Sequence, residues 1–132
     1  MNRFLRAILN RTFGAAGEDA ALDYLKKLGY RELDRGYRSR YGEIDLIMRD
    51  GAGVVFVEVK SRREGRPEEA VDERKQHNLT LTALQYLKSH RLLDVSARFD
   101  VVTLVWPDTG EKPEIRHFKA AFDAVGRGEM FR

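Results

Sequence analysis

The stretch YGEIDLIMRDGAGVVFVEVKSR, residues 41–62, reads as a β-hairpin whose apolar pattern is interrupted by Glu43, Asp45, Glu58 and Lys60. Asp50-Gly51-Ala52-Gly53 supplies the turn chemistry. With the turn centred between Gly51 and Ala52, Asp45 faces Glu58 and Glu43 faces Lys60. Side chains alternate between the faces of a strand. Ile44, Leu46 and Met48 therefore share a face with Val55, Val57 and Val59, and this face belongs to a core. The other face carries Glu43, Asp45, Ile47 and Arg49 with Val54, Phe56, Glu58 and Lys60. Its charges gather at the end away from the turn.

Directly opposed side chains lie ~5 Å apart, and like charges placed so repel. A face holding Asp45 against Glu58 lacks a cation, and Lys60 supplies only one. A divalent ion bridging both carboxylates removes the conflict, with the backbone carbonyl of Val59 as a third oxygen. The alternative is a solvated face on which Lys60 and Arg49 pair with the acids.

Working outward, the segment AAGEDAALDYLKKLG (15–29) has the pattern of a helix of about 14 residues stopped by Gly29. Ala15, Glu18, Leu22 and Leu25 fall on one face, so Glu18 interrupts an apolar seam. Its carboxylate either gains from the helix dipole or points at the ion between Asp45 and Glu58. YRELDRGYR (30–38) reads as a polar edge strand. After the hairpin, SRREGR (61–66) is a charged loop leading to Pro67. That proline suits the first turn of a long helix, with Glu68 and Glu69 complementing its positive end, and the helix runs to about Ser89. Val71, Lys75, Leu79, Ala83 and Tyr86 line one stripe of it. Lys75 either extends its ammonium past the apolar surface or meets a phosphate or one of the acids. RFDVVTLVW (98–106) is a further strand, PEIRHF (113–118) a short one, and KAAFDAVGRG (119–128) a frayed terminal helix. The expected class is α/β, an α-β-β-β-α-β order with a mixed central sheet.

At 132 residues the chain forms one domain by length. Residues 1–13 make a basic amphipathic leader and 119–132 a C-terminal tail or short helix. Its 42% hydrophobic and 34% charged content is that of a patterned globule. No apolar run approaches the ~20 residues that span a bilayer, and the first residues are too short in apolar length and too rich in arginine for a secretory signal. The expectation is a cytoplasmic protein without a membrane partner. Cysteine is absent, which excludes disulfides and thiolate metal sites, and the three histidines (His77, His90, His117) are widely separated. Any metal would therefore be held by oxygen, favouring Mg²⁺, Mn²⁺ or Ca²⁺. No organic cofactor is implied. The net charge of +3 leans mildly towards polyanions.

GEIDLI (42–47) with EVK (58–60), twelve residues lying between Asp45 and Glu58, resembles the PD-(D/E)-x-K nuclease motif. Together with GEDAALDYL, EAVDERKQHNL and RFDVV, it makes residues 14–106 similar throughout to the YraN-type family of small bacterial proteins. That family is likened to Holliday-junction resolvases and has the restriction-endonuclease-like fold. The proline that often precedes the first acid is here Ile44. The resemblance implies that Asp45 and Glu58 bind Mg²⁺, that Lys60 orients or helps deprotonate the attacking water, and that Glu18 matches the acid of the first helix. It says less about Glu43, Lys75 and Asp100, and Glu43 and Lys75 stand as candidates for supporting the site.

Arg38 and Arg40 before the hairpin and Arg62, Arg63 and Arg66 after it are the expected contacts to nucleic acid. Phosphate contacts position a backbone without reading sequence. Tyr37 and Tyr41 are either stacking platforms or ordinary structural tyrosines. The leading expectation is a Mg²⁺-dependent endonuclease acting on branched or irregular DNA, ahead of RNA. The alternative from another class is a nucleic-acid-binding protein of the same fold that cuts nothing by itself, and a third is a structural domain whose charges pair internally. A homodimer is attractive because two strands need two sites. Phe4, Leu5, Ile8 and Leu9 would cover such an interface or cap the core.

Overall fold

The computed structural model describes residues 3–68 and 70–124, with side chains from residue 14 onward. The leader's Phe4, Leu5, Ile8 and Leu9 side chains, Glu69 and residues 125–132 lie outside the described residues. The element order is α1 (Arg3–Lys27), β1 (Arg31–Ser39), β2 (Gly42–Asp50), β3 (Gly53–Arg63), α2 (Glu73–Ser89), β4 (Ala97–Trp106) and β5 (Glu114–Phe122). The five strands form one sheet in the order β1-β2-β3-β4-β5. β3 and β4 are parallel, joined by the α2 crossover, and the other neighbours are antiparallel. This is the expected α-β-β-β-α-β core with a mixed sheet, extended by a fifth strand.

α1 ends where the sequence predicts. Gly29 takes φ +96°, which costs a residue without a Cβ little. Its N–H bonds Lys26 O, the Tyr30 N–H bonds Leu25 O, and both Leu25 and Tyr30 are buried. That pattern closes the helix by satisfying its last carbonyls. The helix starts earlier than expected, at Arg3. Its buried line is also rotated, because Ala15 is exposed while Gly17, Ala21 and Leu25 face the sheet. Gly17 accounts for the closeness. A Cβ there would lie 2.8 Å from Ser61 Oγ, so only glycine lets α1 approach β3 at this point.

The hairpin has the expected turn, and the expected register holds from Asp50–Gly53 to Leu46–Val57, but the expected pairs Asp45–Glu58 and Glu43–Lys60 are not part of the ladder. Both faces of the sheet are covered. Leu46, Met48, Val55, Val57, Val102 and Leu104 pack against Ala21 and Leu25 of α1. Ile47, Val54, Phe56 and Phe99 pack against Leu79, Ala83 and Tyr86 of α2. Ile44 departs from the expectation, since it joins the α2 side and not Leu46 and Met48. The regular β2–β3 ladder ends at Leu46–Val57, so strict alternation does not carry past Asp45.

Two boundaries need correction. α2 begins at Glu73 and not at Pro67, because Asp72 is its N-cap and accepts a 2.8 Å hydrogen bond from the Lys75 N–H. Pro67 and Glu68 belong to the preceding loop. Residues 119–122, expected to open a helix, continue β5 instead. The Asp100 carboxylate accepts the Ala120 N–H at 3.0 Å, pinning a backbone with φ +49° onto β4. Among the described residues no helix is long and apolar enough to cross a membrane.

Candidate active site

Where the β2–β3 ladder stops, the two strands part. The Asp45 carboxylate fills the gap, accepting the Val59 N–H at 2.8 Å in place of a strand partner. This opening leads into a cleft of about 620 Å³ lined by Glu18 of α1, Asp45 of β2, Glu58, Lys60 and Arg62 of β3, and Lys75 of α2. Sequence reasoning brought Asp45, Glu58 and Lys60 to one face, and the structure brings all three to one cleft. Burial, then the Glu58 charge, pushes the Asp45 carboxyl up to about 8. Asp45 therefore favours its protonated form.

Glu58 is buried, at 8% exposed, and Oε1 meets the Lys75 ammonium at 3.1 Å. Its Oε2 is buried with no hydrogen-bond donor among the described residues. A proton on Asp45 is the one donor the pair can supply for itself. Burial lowers the Lys75 pKa and the Glu58 carboxylate raises it, and the net shift is upward. Lys75, singled out as a charge in an apolar stripe, is thereby the internal counter-ion of Glu58.

Glu18 lines the same cleft, yet it is held by Arg35 of β1, whose Nε lies 3.4 Å away and whose Nη1 binds Asp19 at 2.7 Å. Desolvation outweighs the arginine and raises the Glu18 pKa. Among the described residues no three acid, histidine or cysteine side chains gather as a ready-made metal cage. Two protein carboxylates with water and phosphate oxygens still fit Mg²⁺, which keeps several waters and takes ligands from its substrate. Glu43 stands apart, exposed and paired with Arg38 across β1 at 3.3 Å.

The arginines divide into two groups. Arg62, Arg63 and Arg66 line the cleft. Arg62 donates to Arg66 O at 2.7 Å, while its buried Nε has no acceptor among the described residues. Arg38 and Arg40 sit at the β1–β2 turn outside the cleft lining, with the Arg40 guanidinium 4.9 Å from the Tyr41 ring centre. Tyr37 packs edge-on against Tyr86 at 5.1 Å, as a structural tyrosine does.

The family model described as "Uncharacterised protein family UPF0102" matches residues 17–104, a span that contains Glu18, Asp45, Glu58, Lys60 and Lys75. The chain belongs to this family. It is 46% identical over 118 residues to a UPF0102 protein of Trichlorobacter lovleyi, covering 86% of this chain and 92% of that one. A UPF0102 protein of Syntrophus aciditrophicus is 45% identical over 126 residues, covering 92% and 98%. One of Geobacter sulfurreducens is 45% identical over 119 residues, covering 86% and 91%. Membership in the UPF0102, or YraN, family agrees with the restriction-endonuclease-like fold and its nuclease-like classification.

Three features of this UPF0102 protein escaped sequence reasoning. Arg35, on a polar edge strand, gives no signal that it reaches Glu18. The glycine at position 17 inside a helical pattern was a signal, since such a glycine often marks close packing. Asp100, left without a role, is fully buried at the hub of a network under the end of α1. It accepts from Arg98 Nε at 2.9 Å and meets His117 Nε2 at 2.7 Å. Arg98 in turn reaches the Tyr30 hydroxyl and Asp50.

Proposed function

We propose that this UPF0102 protein is a divalent-metal-dependent endonuclease that hydrolyses phosphodiesters in DNA, choosing branched or irregular structure over sequence. One observation carries the reading. Glu58 and Arg62 line a single cleft, and among the described residues the buried Glu58 Oε2 has no donor and the buried Arg62 Nε no acceptor. The first asks for a cation and the second for an anion. A phosphodiester accompanied by a divalent ion supplies both.

Asp45 and Glu58 hold Mg²⁺ or Mn²⁺ in this reading, with the Val59 carbonyl as a further oxygen. Such an ion, when bound, acidifies water and neutralises charge developing on phosphate. Lys75 keeps Oε1 of Glu58 occupied and leaves Oε2 to the ion. Lys60, two residues further along β3, lies beside the attacking water and the phosphate, where its positive charge offsets the negative charge of the transition state. Arg62, Arg63 and Arg66 position the strand through its phosphates. Phosphate contacts of this kind carry no sequence information, which supports structure selectivity.

The test is incubation of the purified protein with plasmid, single-stranded and four-way-junction DNA, with and without Mg²⁺ or Mn²⁺. Asp45→Ala and Lys60→Ala serve as controls. Metal-dependent cleavage lost in both variants supports the proposal, and cleavage surviving both removes it. The second reading, a binder that does not cut, draws on the Lys75–Glu58 pair, which already neutralises one of the two acids. It predicts a metal-independent gel shift without products.

A further inference from the structure

α2 lies over β2 and β1. Phe99 of β4 packs against α2, but further along β4 and β5 that cover thins, leaving Val101 half-buried and Phe118 exposed. In the β4–β5 ladder, Val101 pairs with Phe118 and Val102 with His117. Val102 packs towards α1, so Val101 and Phe118 point to the α2 side, where Phe118 stands 46% exposed. Here the surface forms a groove of about 670 Å³, walled by Val71, Phe118 and Phe122 with Lys119 on its lip. Lys60, Glu68 and Thr103 line both this groove and the acidic cleft, so the two are continuous.

The walls differ in chemistry along this path. The cleft is lined mainly by charged side chains, whereas the groove sets Val71, Val101, Phe118 and Phe122 among a few polar and charged groups, with the Phe118 ring next to Lys119. A polynucleotide strand has the matching alternation, a charged backbone carrying flat apolar bases. Walls that mix apolar and polar side chains around a volume of this size suit one nucleotide. Bases stack on exposed aromatic rings without regard to sequence.

We propose that this groove receives an unpaired nucleobase adjoining the phosphate held in the cleft, stacked on Phe118, with Lys119 against the next phosphate. The inference rests on the nuclease reading and narrows its substrate to DNA with unpaired nucleotides at the cleavage point. In a regular duplex the base is stacked within its own helix and cannot enter. The site therefore selects forks, gaps, flaps or opened junctions.

The experiment measures binding of the full-length protein to fluorescein-labelled DNA by anisotropy in Ca²⁺, and cleavage in Mg²⁺. Three DNAs are compared: a blunt duplex, a single-stranded/double-stranded fork, and the same fork with abasic sites beside the junction. Phe118→Ala should weaken fork binding by about five-fold to a hundred-fold, the range for one base stacked on an aromatic ring. Duplex binding should stay within two-fold. Phe118→Trp should retain fork binding, and the abasic fork should bind wild type and Phe118→Ala alike. Equal binding of the intact fork by wild type and Phe118→Ala, with cleavage intact, overturns this inference and leaves the nuclease reading standing. Absence of binding and cleavage on every DNA removes both. Sedimentation that shows a wild-type dimer and a Phe118→Ala monomer assigns the groove to a second copy of the chain and also overturns the proposal.

Discussion

Replacing Asp45 with Asn should stabilise the metal-free protein above pH 4, and the size of that effect follows from the site. Asn keeps an oxygen for the Val59 N–H, which Ala would leave unsatisfied. Folding raises the Asp45 pKa from 3.8 to about 8, so the folded state holds a proton that the unfolded state has already released. Its stabilising contribution is complete below about pH 4 and is lost progressively as pH rises to about 8. At ~1.4 kcal/mol per unit the ceiling is about 6 kcal/mol. Partial solvent access at Asp45 and the Lys75 ammonium beside Glu58 bring the working figure to ~2 kcal/mol. For a chain of this length that is a difference of about 6–10 °C in Tm. Thermal unfolding in EDTA from pH 4 to 8.5 should show wild type losing stability relative to Asp45→Asn, the two converging at the acid end. Mg²⁺ at pH 8 should restore wild type, by ~2.7 kcal/mol at a hundred-fold excess over Kd, and leave Asp45→Asn unmoved. Parallel pH profiles, or an Asn variant less stable at pH 8, would refute the argument that buried carboxylate repulsion sets this site.

Gly17→Ala should destabilise the protein by ~1–3 kcal/mol despite the better helix propensity of alanine, because the new methyl meets Ser61 Oγ at 2.8 Å and Cβ at 2.9 Å; a higher Tm would mean that α1 can lift from β3 freely. Asp100→Ala strips Arg98, His117 and the Ala120 N–H of their common acceptor, and urea unfolding should register a loss of ~3–5 kcal/mol. A loss below ~1 kcal/mol would mean the network rearranges around the gap. In DNA binding, Arg62→Ala and Arg63→Ala should each reduce the slope of log K against log salt by ~0.9 on duplex DNA, whereas Arg38→Ala, paired with Glu43 outside the cleft, should leave it unchanged. Equal slopes for all three would erase the distinction between the two arginine groups.

The order of the central elements and the hairpin register were legible in the chain itself. Asp50 and Gly53 flank a two-residue turn, and an alternating pattern tied to a turn admits one register, since a slip of one residue would turn every apolar side chain to the wrong face. Asp45, Glu58 and Lys60 could be read together for that reason, and Lys75 because a charge in an apolar helical stripe must find a partner. Local pattern was weaker where a longer-range contact decided the outcome. Pro67 looks like a helix start, but the side chain of Asp72, five residues later, accepts the Lys75 N–H and opens the helix there. Residues 119–122 have helical composition, yet Asp100 holds the Ala120 N–H and keeps them in the sheet.

What the sequence alone determined is the sheet's central hairpin and the meeting of two acids and a lysine upon it, because strand periodicity and turn geometry act over neighbouring residues. Only the tertiary structure decided which charges are answered and which are left over. Arg35 comes from β1 to hold Glu18, Lys75 comes from α2 to hold one oxygen of Glu58, and the other oxygen is buried with no donor among the described residues. Such pairings depend on distances between elements far apart in the chain, and no local spacing encodes them.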